Sequence, residues 1–147
     1  MIALLDVNIL VALMDEDHVH HQLAHDWFED NKEGGWASCP LTENGLLRMF
    51  SNPAFIDPPV PLPELIGLLK RFYERSAHHS WADDVSLRDP SVFLTSAVRG
   101  YRQLTDVYLL GLAVKHRGKL VTFDSGVPLG AVVGARREHL DVIAPAP

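Results

Sequence analysis

Short apolar runs alternate along the chain with longer stretches of helical spacing. A continuous apolar run, such as Ile2 to Leu5, predicts a strand that is buried on both faces of a parallel sheet. Runs and flanking turn residues of this kind predict five strands, at residues 2–5, 36–39, 80–82, 119–123 and 140–144. A polar residue or a proline follows most of these strands and marks the carboxyl end.

Between the strands, apolar residues recur at the spacing of one helical face. This spacing predicts six helices, at residues 9–14, 20–31, 42–50, 64–75, 91–98 and 105–117. Thr42 and Thr105 are predicted N-caps, and Gly118 follows the end of the last helix. Strands that alternate with helices predict an α/β fold with a largely parallel sheet.

Residues 51–63 contain five prolines and are predicted to form a loop. The pieces on either side are too small to fold separately, so we expect one domain over residues 1–147, with this loop inside it and a tail at 145–147. A lid or a partner surface is the expected use of the loop. Its apolar residues from Phe55 to Leu62 suit a docked peptide, although loops often pack such residues on their own domain.

The composition is that of an ordinary globular protein, with 47% hydrophobic and 22% charged residues in 147. No apolar run approaches the roughly 20 residues of a transmembrane helix, and the first 15 residues lack the basic start of a signal peptide. Cys39 is the only cysteine, so the chain has no internal disulfide. A cytoplasmic protein without membrane contact is the expectation.

The net charge of −6 argues against a simple nucleic-acid binder, because phosphates are neutralised by Lys and Arg. Four acidic residues, however, occupy positions typical of a metal site. Removing their four charges from −6 leaves −2, and divalent cations would supply local positive charge. The net charge therefore does not exclude nucleic acid.

Two of these acids, Asp6 and Asp124, come directly after predicted strands. Ligands of open α/β sheets bind beyond the carboxyl ends of the strands, so both acids are expected in one crevice. The other two, Glu43 and Asp106, lie in the first turns of predicted helices. The helix dipole alone favours an acid there, by about 0.3–1 kcal/mol, and that explanation predicts an exposed carboxylate.

The spacing of apolar residues favours a different orientation for both helix acids. Positions three, four and seven residues after each acid are apolar, so each acid heads the buried face of its helix: Leu46, Leu47 and Phe50 follow Glu43, and Leu109, Leu110 and Ala113 follow Asp106. Buried carboxylates are costly unless they are paired or bind a cation. Mg²⁺ and Mn²⁺ prefer such oxygen ligands, and metal ions of this kind activate water for phosphodiester hydrolysis.

The segments around these acids resemble the motifs of PIN domains. The run Leu4-Leu5-Asp6-Val7-Asn8-Ile9-Leu10 resembles the opening D-x-N motif. The later motifs are similar in type and in order: Thr42-Glu43, Thr105-Asp106-Val107-Tyr108-Leu109 and Val121-Thr122-Phe123-Asp124. Chain length and Ser51-Asn52-Pro53 after Arg48 point further, to the VapC toxins of VapBC toxin–antitoxin pairs.

The resemblance implies a three-layer α/β/α fold and RNA cleavage that depends on Mg²⁺ or Mn²⁺. It also implies a homodimer, inhibition by a VapB-type antitoxin, and contact with DNA only through that antitoxin. Asp6 and Asp106 would be the main metal ligands, and Asp124, the least secure, would bind a second ion or act through water. Glu43 would complete the site or position the attacking water. Asn8 would hold Asp6 by a hydrogen bond, and Thr105 would act as cap and site residue.

Two other functions fit parts of the sequence. A PIN-like module that binds RNA or protein without activity would keep the fold, but all four acids are present here. A phosphotransferase of the haloacid-dehalogenase type would have a second aspartate where Asn8 stands, and the acidic pair and distal lysine of a receiver are also missing.

Other candidate residues have mainly structural explanations. His21 and His25 have the spacing of a zinc pair, but Gln22 stands where H-E-x-x-H has Glu. Cys39 has no partner histidine in register for a nucleophile. Two basic groups are expected to be solvated or to contact RNA or antitoxin: Lys70-Arg71 with Arg75, and Arg99 with Arg102.

Overall fold

A five-stranded parallel sheet forms the centre of the protein, in a computed structural model that describes residues 1–145. The strands lie in the order β3-β2-β1-β4-β5 and run β1 Ala3–Leu5, β2 Trp36–Ser38, β3 His78–Ser80, β4 Lys119–Thr122 and β5 Leu140–Val142. In register, Leu5 of β1 lies beside Val121 of β4, and Leu4 lies beside Ala37 of β2. Residues 146 and 147 of the predicted tail lie outside the described residues.

Helices cover both faces of this sheet. They run α1 Val7–Met14, α2 His21–Asn31, α3 Pro40–Phe50, α4 Leu62–Glu74 and α5 Leu104–Lys115. Alternate residues of each strand enter different cores, as the two-residue period requires. Leu5 and Trp36 pack with α1 to α4, whereas Leu4 and Leu120 pack with α5 and the irregular segments beside it. The predicted three-layer α/β/α fold is confirmed.

The strand order reverses between β1 and β4. From β1 the chain moves outward on one side to β2 and β3, and it then crosses to β4 and β5 on the other side. The connections that follow β1 and β4 therefore run to opposite sides and leave a crevice between them, the usual ligand position of such sheets. Asp6 and Asp124 follow these two strands, at the same edge.

Helix α3 begins at Pro40, so the prediction that Thr42 is its N-cap is wrong. A proline has its φ preset for the first helical position and lacks the N–H that would be unpaired there. Cys39 is the N-cap, and its backbone N–H donates to Thr42 Oγ1 at 3.0 Å. Thr42 thus stabilises the helix start from inside the first turn.

Helix α5 also begins earlier than predicted, at Leu104, and Thr105 is an exposed first-turn residue instead of the cap. The α-helix predicted at residues 91–98 is wrong too. That segment pairs through its backbone with residues 131–133, where Leu94 N donates to Ala131 O at 2.9 Å and Val133 N donates to Val92 O at 2.9 Å. Tertiary pairing overrides the local helical spacing because it buries the Phe93 ring against α5.

The other differences concern the ends of elements. Strand β3 lies two residues before its predicted position, β5 is shorter than predicted, and α1 begins at Val7 instead of Ile9. The proline-rich loop occupies the residues between α3 and α4, and Phe55, Ile56 and Val60 pack on the α1-to-α4 core. No helix among residues 1–145 is long and apolar enough to cross a membrane.

Two helix glycines should respond in opposite ways to alanine. A Cβ on Gly111 of α5 would overlap the buried Phe93 ring, whereas a Cβ on Gly67 of α4 would meet only Arg71 Nη1, at 3.5 Å. We expect Gly111→Ala to lower the free energy of unfolding by about 1–3 kcal/mol through overpacking. Gly67→Ala, the matched control, should raise it by up to about 1 kcal/mol through helix propensity. Urea unfolding would measure both, and equal effects would contradict the packing assigned to Phe93.

Candidate active site

Asp6 is a buried carboxylate that caps helix α1. It follows β1 with extended backbone, and its Oδ1 accepts a hydrogen bond from Val7 N at 2.7 Å. Its Oδ2 accepts a second one from the Thr122 hydroxyl, also at 2.7 Å. Only 5% of Asp6 is exposed, so its two oxygens are fixed by β4 and by the start of α1.

The Thr122 hydroxyl joins three parts of the site. It donates to Asp6, and it accepts from Asn8 Nδ2 at 3.2 Å and from Asp124 N at 3.1 Å. The side chain is fully buried, so these three bonds use its one proton and both lone pairs. Asn8 therefore acts on Asp6 through the Thr122 hydroxyl.

Asp106 and Asp124 complete a group of three neighbouring aspartates with Asp6. Asp106 is half-buried in the first turn of α5, and Asp124 is exposed just after β4. Asp124 Oδ1 accepts from Gly126 N at 2.7 Å, which fixes the turn after β4. Asp124, the least secure of the four from sequence, thus lies with Asp6 and Asp106.

Within residues 1–145, none of the three aspartates forms an ion pair with a cationic side chain. Burial raises the pKa of Asp6, and the nearby charge of Asp124 raises it further. Burial also raises the pKa of Asp106, to about 8, together with the charges of Asp6 and Asp124. Hydrogen bonding from Gly126 N and from Asp106 lowers the pKa of Asp124. Asp106 thus retains its proton near neutral pH until a positive charge arrives.

Glu43 has a different partner. It is half-buried in the first turn of α3, and its Oε1 accepts a hydrogen bond from Tyr73 Oη at 3.3 Å. The carboxylate lines a cavity of about 230 Å³ beyond the carboxyl ends of β2 and β3. The spacing argument correctly placed this acid away from open solvent, and α4 supplies the neighbour that the spacing did not reveal.

The aspartate group fits a divalent cation in its chemistry. Within residues 1–145, no three His, Cys, Asp or Glu side chains are arranged so that they could hold a metal ion by themselves. Mg²⁺ often takes only one or two protein carboxylates and completes its shell with water and substrate phosphate. Neighbouring carboxylates with raised pKa values and only oxygen donors are a suitable environment for such an ion. Asp6, Asp106 and Asp124 are the residues that could hold it.

The sequence alone did not identify two residues that contribute to the site, Thr122 and Gln103. Thr122 lies within one of the acidic motifs, and a hydroxyl among the apolar residues of a strand is a usable signal of a buried polar contact. Gln103 bridges two loops at the edge of the site, since its Oε1 accepts from Arg99 N at 2.8 Å and its Nε2 donates to Gly126 O at 3.2 Å. Nothing in the local sequence indicates that bridge.

The structure gives no support to a zinc pair of histidines or to Cys39 as a nucleophile. His21 Nδ1 lies 2.7 Å from the carbonyl oxygen of Ala12, and the His20 ring packs on Phe123. These are packing roles. Burial raises the pKa of the Cys39 thiol to about 11, which is unsuitable for a nucleophile.

Comparison with known proteins identifies close sequence relatives. The model of the PIN domain matches residues 3–129. The chain is 45% identical to Ribonuclease VapC44 of Mycobacterium tuberculosis over 140 residues, covering 95% of this chain and 98% of that protein. It is also 45% identical to Ribonuclease VapC38 of the same organism over 125 residues, covering 85% of this chain and 86% of that protein.

A solved structure has the same fold. The chain aligns with a chain of VapBC2 from Rickettsia felis, crystallised bound to a DNA fragment from its promoter. The TM-score is 0.59, with coverage of 99% of this chain and 100% of that chain. The sequence identity is 12%, so this likeness concerns the fold alone.

Removing the Thr122 hydroxyl should destabilise the protein and disorganise the aspartates. In Thr122→Val, Asp6 loses a donor and Asn8 and Asp124 N lose their acceptor, so we expect a loss of about 2–4 kcal/mol in unfolding free energy. Thr122→Ser keeps the hydroxyl and should lose less than about 1.5 kcal/mol through a missing methyl group. Thermal and urea unfolding of both variants test this, and equal losses would show that the hydroxyl is not the connecting group.

Asp106 should make the metal-free protein less stable as the pH rises. Its pKa is raised to about 8 in the folded chain, so the folded state binds a proton that the unfolded state releases near pH 4. The resulting stability is complete below pH 4 and is lost as the pH rises through 8. Asp106→Asn removes this dependence. In EDTA, the melting temperature of Asp106→Asn minus that of wild type should therefore increase from pH 5 to pH 8.5. A constant difference would contradict the raised pKa.

Proposed function

The chain belongs to the PIN-domain family together with the VapC ribonucleases, as its acidic motifs predicted, and we propose that it is a metal-dependent endoribonuclease that acts as the toxin of a toxin–antitoxin pair. The observation that carries the proposal is the group of Asp6, Asp106 and Asp124 at the carboxyl ends of β1 and β4. Its relatives of 45% identity bear the name ribonuclease and align over most of the chain.

The charges of the site support the dependence on Mg²⁺ or Mn²⁺ that we propose. An RNA phosphate approaching three neighbouring carboxylates on a protein of net charge −6 is repelled unless positive charge is added. The cation would be held by Asp6, Asp106 and Asp124. When bound, it supplies positive charge at the scissile phosphate and increases the acidity of an attacking water.

The protein's own groups have separate tasks in this proposal. Val7 N and Thr122 fix both oxygens of Asp6, which sets the position of the site relative to the sheet. Asp106 would release its proton to solvent when a cation binds beside it. Glu43, in the first turn of α3, is the group we assign to orient the attacking water and accept its proton.

We also propose a VapB-type antitoxin as the partner, with DNA contacted only through it, and a homodimer as the assembled form. The support is the naming of the relatives as VapC proteins and the fold shared with a VapBC complex. Large apolar side chains that remain exposed, including Leu94, Tyr101 and Leu104, give the protein surface that a partner chain could cover.

The purified chain, freed of any partner, should cleave RNA with Mn²⁺ or Mg²⁺ and lose that activity in EDTA. Asp6→Asn should reduce kcat/KM by about a hundredfold or more, because it removes charge from the metal site. Gel-based cleavage of a labelled RNA measures both effects. Asp30→Asn, an exposed acid on α2, makes the same chemical change away from the site and should leave the rate unchanged.

Two outcomes would contradict the proposal. One is the absence of cleavage with either ion in well-folded, partner-free protein, and the other is full activity of Asp6→Asn. A calorimetric titration that detects no binding of Mn²⁺ would favour instead a PIN-like module that binds RNA or protein without catalysis.

A further inference from the structure

We propose that Tyr73 is a positioning residue that orients Glu43 for RNA cleavage, at the end of a directed series of hydrogen bonds that begins at His78. This inference rests on the proposed ribonuclease function and adds a residue of α4 to it. The series connects four elements: His78 begins β3, Ser38 ends β2, Tyr73 lies near the end of α4 and Glu43 lies at the start of α3.

The distances form a continuous path. His78 Nε2 lies 2.8 Å from Ser38 Oγ, Ser38 Oγ lies 3.0 Å from Tyr73 Oη, and Tyr73 Oη lies 3.3 Å from Glu43 Oε1. Ser38 is 3% exposed, so its hydroxyl depends on these protein partners. The last bond is the longest of the three, and it joins the path to a carboxylate on the wall of the cavity at the sheet edge.

Proton counting fixes the direction of every bond. A carboxylate only accepts, so the single proton of Tyr73 goes to Glu43. Tyr73 Oη must then accept from Ser38, which uses the single proton of Ser38. Ser38 can therefore only accept from His78, and His78 must carry its proton on Nε2. The path is His78 to Ser38 to Tyr73 to Glu43, with each group donating to the next.

Aromatic packing holds the path rigid. The rings of Tyr73 and His78 stack with centroids 3.6 Å apart and planes 7° apart, and Trp36 packs on both. Trp36 Nε1 is itself fixed by a hydrogen bond to Ser76 Oγ at 2.9 Å. Burial and the neighbouring His79 lower the pKa of His78 to about 4, so this ring is neutral at physiological pH. A neutral ring with one fixed tautomer is a constant donor.

A purely structural role for Tyr73 would need only the ring. The stack on His78 and Trp36 survives without the phenol oxygen, whereas the hydroxyl ends on the carboxylate of Glu43. Deletion of that one atom therefore separates the two roles. Tyr73→Phe keeps the ring and removes the donor to Glu43.

We expect Tyr73→Phe to lower kcat for RNA cleavage about tenfold, the effect of one hydrogen bond to a charged group. KM should stay within about twofold, because the hydroxyl orients a catalytic group and does not hold the substrate. The control must remove a hydroxyl that donates to a carboxylate away from the site. The control is Ser91→Ala, which removes an exposed hydroxyl that donates to the carboxylate of Asp89 at 2.6 Å and should leave kcat unchanged.

The double variant with Glu43→Gln tests whether Tyr73 acts through Glu43. If it does, adding Tyr73→Phe to Glu43→Gln should change kcat by less than about twofold, since the group to be oriented has already been altered. Multiplicative effects of the two substitutions would show that Tyr73 acts by another route and would overturn the inference. Ser38→Ala provides a second variant, and it should lower kcat in the same direction with KM unchanged. Wild-type kcat in both Tyr73→Phe and Ser38→Ala would also overturn it.

Failure of the inference is distinguishable from failure of the proposed function. If wild-type protein cleaves RNA and Asp6→Asn does not, the function stands whatever Tyr73→Phe shows. An activity-free measurement is also available, because nitrogen-15 spectra of the histidines report which ring nitrogen is protonated. We expect His78 to carry its proton on Nε2, and a proton on Nδ1 would contradict the direction of the path.

Discussion

The hydrogen bond between Thr122 and Asp6 joins the carboxyl ends of β1 and β4, and the rest of the site is arranged around it. A buried carboxylate needs donors, and Asp6 has Val7 N on one oxygen and the Thr122 hydroxyl on the other. The first bond starts α1 and the second fixes the carboxylate against β4. Because Thr122 also accepts from Asn8 and Asp124 N, the same hydroxyl sets the geometry of the turn that carries Asp124.

The sheet topology explains why these residues meet. Asp6 and Asp124 follow neighbouring strands that bracket the reversal of strand order, and α5 brings Asp106 to the same edge from the other side of the sheet. The arrangement has an electrostatic cost, because burial and then the charges of the neighbouring aspartates raise the pKa values of Asp6 and Asp106. A fold selected for stability alone would avoid this grouping. In the proposed function a bound cation would remove this cost, so the same repulsion that weakens the protein without a cation would favour cation binding.

Much of this architecture was predictable from the sequence, and the remaining errors share a physical cause. Apolar runs and helical spacing predicted the α/β class, and the positions of acids directly after strands predicted that Asp6 and Asp124 lie at one edge of the sheet. Thr42 is not the N-cap of α3 because Pro40, whose φ suits a first helical position, begins that helix earlier. Thr105 is not the N-cap of α5 because a preceding turn leads into the helix at Leu104. The segment around Phe93 is not the predicted helix because its backbone pairs with residues 131–133. In each case the deciding partner lies outside the local pattern.

The aspartates and Glu43 differ in the same way in how far the sequence could predict their surroundings. Asp6 and Asp124 could be placed from strand ends alone, since parallel strands bring their carboxyl ends together. Glu43 required helical spacing, which showed the side that it faces but not its neighbour. Its neighbour Tyr73 is 30 residues away in sequence, and Ser38 and His78 behind it belong to two further elements. A path of hydrogen bonds between buried groups has no periodicity of its own, so it becomes visible only when the fold brings its members together. Because each of its hydroxyls has a single proton, its direction then follows from the chemistry of its last acceptor.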